Sequence, residues 1–160
     1  MNSRTQVGLL VVAMALAGCG SKSGSGSTAS APSASSGTVV AAVSQYDSGP
    51  RAGEQPIDES RVTAGEKLFT NKGCSACHAF GKRLQCPDLN GVTMRRTAQW
   101  MENQILHPDV MVKQDPISHQ LFGQYSLQMP NQGLTPDEAR SVIEFLKHKN
   151  HQAQEAGKGE

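Results

Sequence analysis

Aromatic side chains are scarce in this chain, at 4% of 160 residues, with one Trp, two Tyr and four Phe. A folded region so poor in rings buries a small core by itself. Long hydrophobic runs are also missing. The longest, from Val7 to Leu16, is about half the ~20 residues that a membrane-spanning helix needs. Charge of either sign is not in excess: 15 basic residues face 14 acidic ones, a net charge of +1. No basic cluster marks a nucleic-acid surface, which excludes that class of partner. There are no internal repeats, and no stretch alternates polar and apolar residues as a half-buried strand would.

What is present begins with an export pattern. Arg4 precedes the apolar run, which ends in the small residues Ala17-Gly18, as a secretory signal does. Leu16-Ala17-Gly18-Cys19 resembles the lipobox of bacterial lipoproteins, in which the Cys becomes residue one and carries lipid. An ordinary cleavage site with an incidental Cys is the alternative. The resemblance implies a signal peptide over 1–18, lipid on Cys19 and export to a bacterial membrane, facing the periplasm or cell surface. More than one acyl chain makes such anchoring stable. From Gly20 to Gly37 the chain is mostly Ser, Gly, Ala and Thr, a flexible linker. Gly, Pro and charge return between Asp47 and Pro56, so the tether is expected over 19–56, with a reach of roughly 35 Å. The folded domain is expected over 57–150, with a disordered tail over 151–160.

Within the domain stands Cys74-Ser75-Ala76-Cys77-His78. A Cys-x-x-Cys-His run is the attachment signature of a c-type haem. Two thiols three positions apart share one face of a helical turn and can form thioethers to the two vinyl groups of one porphyrin. The adjacent His then offers its imidazole to the iron. A zinc half-site would want a second ligand pair, and only Cys86 is near. A thioredoxin-like dithiol would want a βαβ context, and the flanks read as helix. A haem would also supply apolar volume that the aromatic-poor chain lacks.

The remaining signals are helical. Thr63-Ala64-Gly65-Glu66 reads as a capping box, opening a helix that ends at Asn71-Lys72-Gly73. Gly81 to Asn90 reads as loop. Thr97 caps a second helix through Trp100, Met101, Ile105 and Leu106, stopped by Pro108. Asp115-Pro116 opens a third with an N1 proline, and Gly123 to Gly133 reads as irregular. Thr135-Pro136-Asp137-Glu138 starts the last helix, whose Ala139, Val142, Ile143 and Leu146 follow a helical period. Lys147, His148 and Lys149 are placed in its last turn. The fold class is all-α.

A second protein ligand would make the haem an electron carrier, whereas an open site would bind small molecules or do chemistry. Candidates are Met94, Met101, Met111, Met129, His107 and His119. Met101 suits core packing, and Met94 and Met111 read as loop residues without a rigid neighbour. Met129 precedes Pro130 in an irregular stretch, where a stiff loop can hold sulfur at the iron. The usual Met/His ligation of such haems points to Met129 with His78, leaving His107 and His119 as alternatives.

The order of helix, Cys74-Ser75-Ala76-Cys77-His78, Pro87-Asp88-Leu89, Met129-Pro130 and a C-terminal amphipathic helix resembles a class I cytochrome c, from about Thr63 to Lys149. The resemblance implies one covalent haem c and no enzymatic activity, with single electrons passing at the haem edge around Cys74 and Cys77. It implies that Gly65 and Phe69 pack the first helix on the last near Phe145 and Leu146. It also implies that the Pro87 carbonyl accepts the His78 ring N–H, that Leu89 lines the haem, and that Trp100, Arg95 and Arg96 meet its propionates. Gly91-Val92-Thr93, Arg95-Arg96-Thr97 and Met129-Pro130-Asn131 more loosely resemble monohaem domains fused to some nitrous oxide reductases. That points to a copper oxidoreductase or a respiratory complex as redox partner. One residue departs from the family pattern: Cys86 stands where Gly is usual. Cys86 is open to three readings: a small hydrophobe, a thiol for pairing with another chain, or a redox switch. If the position needs positive φ, Cys is strained there. A peroxidase-like open site is the competing function.

Overall fold

A computed structural model describes residues 43–157. The expected signal peptide, Cys19 and most of the tether lie outside the described residues, as do 158–160. Among the described residues there is no strand. After a short 3-10 helix at Ala52–Glu54, seven α-helices follow in order: α1 (Glu59–Asn71), α2 (Cys74–Cys77), α3 (Val92–Arg95), α4 (Ala98–Leu106), α5 (Pro108–Gln114), α6 (Pro116–Tyr125) and α7 (Pro136–Ala156). No described helix is long and apolar enough to cross a membrane.

α1 and α7 make the most extensive contact between elements. Phe69 of α1, Phe80 after α2 and Phe145 of α7 form a ring cluster with centroids 5.4–6.0 Å apart. Such tilted and edge-on pairs contribute beyond the area they bury. Trp100, Met101 and Met111 from α4 and α5 complete the core with Val142, Ile143 and Leu146.

The caps explain the helix boundaries. α7 begins at the expected box: the Thr135 Oγ1 accepts from the Glu138 amide at 3.2 Å, and Glu138 Oε2 accepts from the Thr135 amide at 2.8 Å. α1 begins before Thr63. The Asp58 side chain accepts from the Ser60 amide, and Glu144 Oε2 accepts the Asp58 amide at 2.8 Å, so the chain is fixed there first. Pro108 ends α4 but also serves as the N1 residue of α5, where its missing N–H leaves no intrahelical bond unmade. Met111 is therefore a buried helical residue rather than a loop residue, and Met94 sits in the short α3. α6 continues to Tyr125, three residues into the stretch expected to be irregular.

Two expected boundaries are corrected. The domain does not start at Ile57. Ser44 and Ala52 are buried, and the Asp47 carboxylate accepts from the Thr97 amide at 2.7 Å and from Arg51 Nη1 at 2.9 Å. Arg96 Nη1 lies 3.5 Å from the same carboxylate. The Gly- and Pro-rich composition suggested tether, yet these turns let the segment wrap onto α4. Nor does the tail begin at 151: α7 runs to Ala156. Its Ala, Gln and Glu residues favour helix, and His151 and Glu155 pair one turn apart.

Candidate haem-binding site

α2 is a single turn, entered through Gly73 at φ 77°, a left-handed conformation that glycine adopts without strain. His78 follows in extended conformation. The loop after it folds back on this turn. The Cys86 amide donates to the Cys77 carbonyl at 3.2 Å, and the Leu89 amide to the Ala79 carbonyl at 2.9 Å. Asp88 Oδ1 accepts from the amides of Gly81 and Asn90, both at 2.8 Å, tying the loop's two ends. Leu89 is fixed again from α7, where Asn150 Nδ2 donates to its carbonyl at 3.1 Å.

This folding brings the Pro87 carbonyl to 2.8 Å from His78 Nδ1. A carbonyl only accepts, so the ring proton sits on Nδ1 and leaves the Nε2 lone pair free. Burial lowers the pKa of His78, against the opposing effect of the Pro87 bond. The imidazole is thereby kept neutral, the form that binds a metal.

His78 lines an open cleft of about 420 Å³ formed by parts of all seven helices and the connecting loops. Cys74, Pro87 and Leu89 line it from the α2 side, and Trp100, Met101 and Leu146 from the core. Met129 lines it from the segment before α7. Arg95, Arg96 and Cys86 are also on its wall. Met101 is 3% exposed and belongs to the hydrophobic core cluster. His107 and His119 are exposed and off the wall, and His119 Nδ1 lies 3.2 Å from the Val112 carbonyl.

The residues on this wall fit a haem. A neutral imidazole and a thioether line one apolar cavity, with the Cys74 thiol at its side. Imidazole and thioether are a usual axial pair for haem iron.

Other expected residues are more committed than the sequence suggests. Trp100 donates its indole N–H to Asp115 Oδ1 at 3.0 Å, so its one donor is not left for a propionate. Arg95 donates to the carbonyls of Asn90 and Asp88, at 2.7 and 3.2 Å. Arg96 stacks 5.2 Å from the centre of the Trp100 ring and is shared with Asp47. Cys77 is not on the cavity wall; its thiol contacts Cys86. Burial first, then the neighbouring Cys77, raises the pKa of the Cys86 thiol.

Four residues on or beside the site escaped the sequence reading. Gln104 lines the cavity and contacts Met129, and Ser118 holds Gln104. Arg83 lies over Tyr125 at 4.3 Å, joining the loop after α2 to the end of α6. A signal for Gln104 was available: it is a polar residue on the same helical stripe as Trp100, Met101 and Ile105. Ser118, Arg83 and Tyr125 carry no comparable mark.

A cytochrome c family model matches residues 62–150. Among solved structures, a cytochrome c from Rhodothermus marinus is 34% identical, with a TM-score of 0.58, covering 62% of this chain and 84% of that one. An engineered R. marinus cytochrome c, bound to a carbene intermediate, is 31% identical with a TM-score of 0.55, covering 63% and 96% respectively. The cytochrome c domain of a Pseudomonas putida protein is 36% identical with a TM-score of 0.50, covering 56% and 91%. No curated protein matches the chain. The matched span contains α2, the Pro87 loop, Met129 and most of α7, and on that basis this chain belongs to the cytochrome c family, with the class I fold and covalently bound haem c.

Proposed function

We propose that the protein is a membrane-anchored, single-electron carrier with His/Met-ligated haem. Haem-based electron transfer is the activity of the family. Cys74 and Cys77 are the thioether attachments, His78 and Met129 the axial ligands, and lipid on Cys19 tethers the domain to a bacterial membrane, facing the periplasm or cell surface. When bound, haem iron supplies the Fe(III)/Fe(II) couple. The residues supply its setting. Pro87 orients the imidazole, Leu89, Trp100 and Leu146 exclude water, and the turn at Met129-Pro130 carries the sulfur. The observation that supports the ligation is that His78 and Met129 line one cavity while His107 and His119 do not; Met101, on the same wall, is a residue of the core cluster. Met ligation gives a higher potential than bis-His ligation.

Redox partners, such as a copper oxidoreductase or respiratory complex, meet the domain at the haem edge around Cys74 and Cys77, with the cations Lys82 and Arg83 close by in the loop after α2. No observation favours the peroxidase-like alternative.

Two measurements test this reading. Wild-type protein should be low-spin in both oxidation states and slow to bind CO, whereas Met129→Ala should turn high-spin and bind CO readily. Unchanged ligation in Met129→Ala would overturn the assignment. Cys19→Ser should release the protein from the membrane fraction, and a variant still retained there would sink the lipid anchor.

A further inference from the structure

Gln104 reaches across the cavity wall to the proposed ligand. Its Nε2 lies 3.9 Å from Met129 Sδ. Its Oε1 accepts from Ser118 Oγ at 2.5 Å. Ser118 is 5% exposed, and its own amide donates to Asp115 Oδ1 at 2.8 Å. The polarity of this relay has a chemical reason. A thioether sulfur can only accept, so the amide end that faces it must be the NH₂ group. The Ser118 hydroxyl completes the arrangement by donating to the other end. A Gln that merely filled space on α4 would need neither contact.

We propose that Gln104, oriented by Ser118, is a positioning residue that donates to the sulfur of Met129 and raises the reduction potential of the centre. The proposal rests on Met129 being the axial ligand. A sulfur that shares electron density with an N–H is a weaker donor. Fe(III) needs that donation more than Fe(II), so the hydrogen bond favours the reduced state. The contact also limits rotation of the Met129 side chain, which holds one orientation of the sulfur lone pairs.

The test is made on the haem-loaded full chain. Reduction potentials and the sulfur-to-iron charge-transfer absorption are measured for wild type, Gln104→Leu, Gln104→Glu, Ser118→Ala and Ser118→Thr. In Gln104→Leu the ferric-to-ferrous ratio at a fixed poise should rise by about threefold, equivalent to ~28 mV at 59 mV per decade for one electron. Gln104→Glu, which puts an acceptor against the sulfur, should shift further in the same direction. Ser118→Ala should shift less and Ser118→Thr, which keeps the hydroxyl, should restore the wild-type value. The absorption should move in Gln104→Leu and Gln104→Glu while Met ligation persists. If wild type lacks this absorption, Met129 is not the ligand and both readings fall. If wild type has it and all four variants keep its position and the potential, the ligation stands and the relay is overturned. Should Gln104→Glu not fold, Gln104→Leu and the Ser118 pair decide the outcome.

Discussion

Gly65 of α1 lies against the Ser141 carbonyl of α7 so closely that a methyl group would overlap the carbonyl, and would also come 2.9 Å from the Phe145 Cβ. Both obstacles belong to another helix, one of them backbone. Gly65→Ala should gain about 1 kcal/mol of helix propensity but lose more to the forced separation of α1 from α7, since overpacking costs ~1–3 kcal/mol or more. The net expectation is destabilisation of roughly 2 kcal/mol, read as a lower denaturation midpoint of the holoprotein. A variant as stable as wild type would mean that the helices separate freely at this crossing.

Asp47 binds three groups of the domain although it lies in a stretch with linker composition. Removing it in Asp47→Ala takes away bonds to the Thr97 amide, Arg51 and Arg96. Bonds to a charged acceptor contribute ~1.5–3 kcal/mol, and a loss of about 2 kcal/mol lowers Tm by roughly 10 °C in a domain of this size. Relative to a chain lacking 1–42, one lacking 1–56 should have a Tm lowered at least as far as by Asp47→Ala. Equal Tm for the two truncations would contradict the docked segment.

Asp115 gives the fold an acid-dependent component. Burial raises its pKa, but bonds from Ser44, Ser118 and Trp100 together outweigh this and hold the carboxyl below its ordinary value of 3.8. A depressed folded-state pKa adds stability that is complete above the unfolded value and fades as pH falls through the folded one. Unfolding free energies of wild type and Asp115→Asn should therefore differ by a constant amount above about pH 5. The gap should close as pH falls below 3.8. A gap that stays constant down to pH 2 would show that Asp115 titrates alike in both states.

Cys86 is 6% exposed, and Ser126 is the only non-glycine with positive φ among the described residues. The Cys therefore carries no strain from a glycine-type conformation. Its burial also weighs against pairing with another chain. Cys86→Ala should load haem normally and change stability by less than about 1 kcal/mol. Cys86→Gly, the residue more usual in the family, should cost about 0.5–1 kcal/mol through greater freedom of the unfolded chain. A disulfide dimer of wild type on non-reducing gels, absent in Cys86→Ala, would reverse this account.

The caps were legible because they are local. Thr135 and Glu138 are three residues apart, and their reciprocal bonds depend on nothing else. The start of α1 was not legible, since Asp58 is held by Glu144 from the far end of the chain. The resemblance implies that Trp100 meets a haem propionate; it does line the cavity, but its N–H points to Asp115 because α5 brings that carboxylate beneath it.

By itself the sequence determined the cofactor chemistry and the class of fold. Cys74, Cys77 and His78 are neighbours whose roles follow from spacing, and helix periods and caps act within a few residues. Tertiary structure decided what lies between distant segments: that Met129 comes to the cavity lined by His78, that residues near Asp47 belong to the domain, and that Gln104 reaches the Met129 sulfur. Those contacts join residues 25 to about 50 positions apart. Their partners are set by how α4, α6 and α7 close around the cavity, which spacing along the chain does not encode.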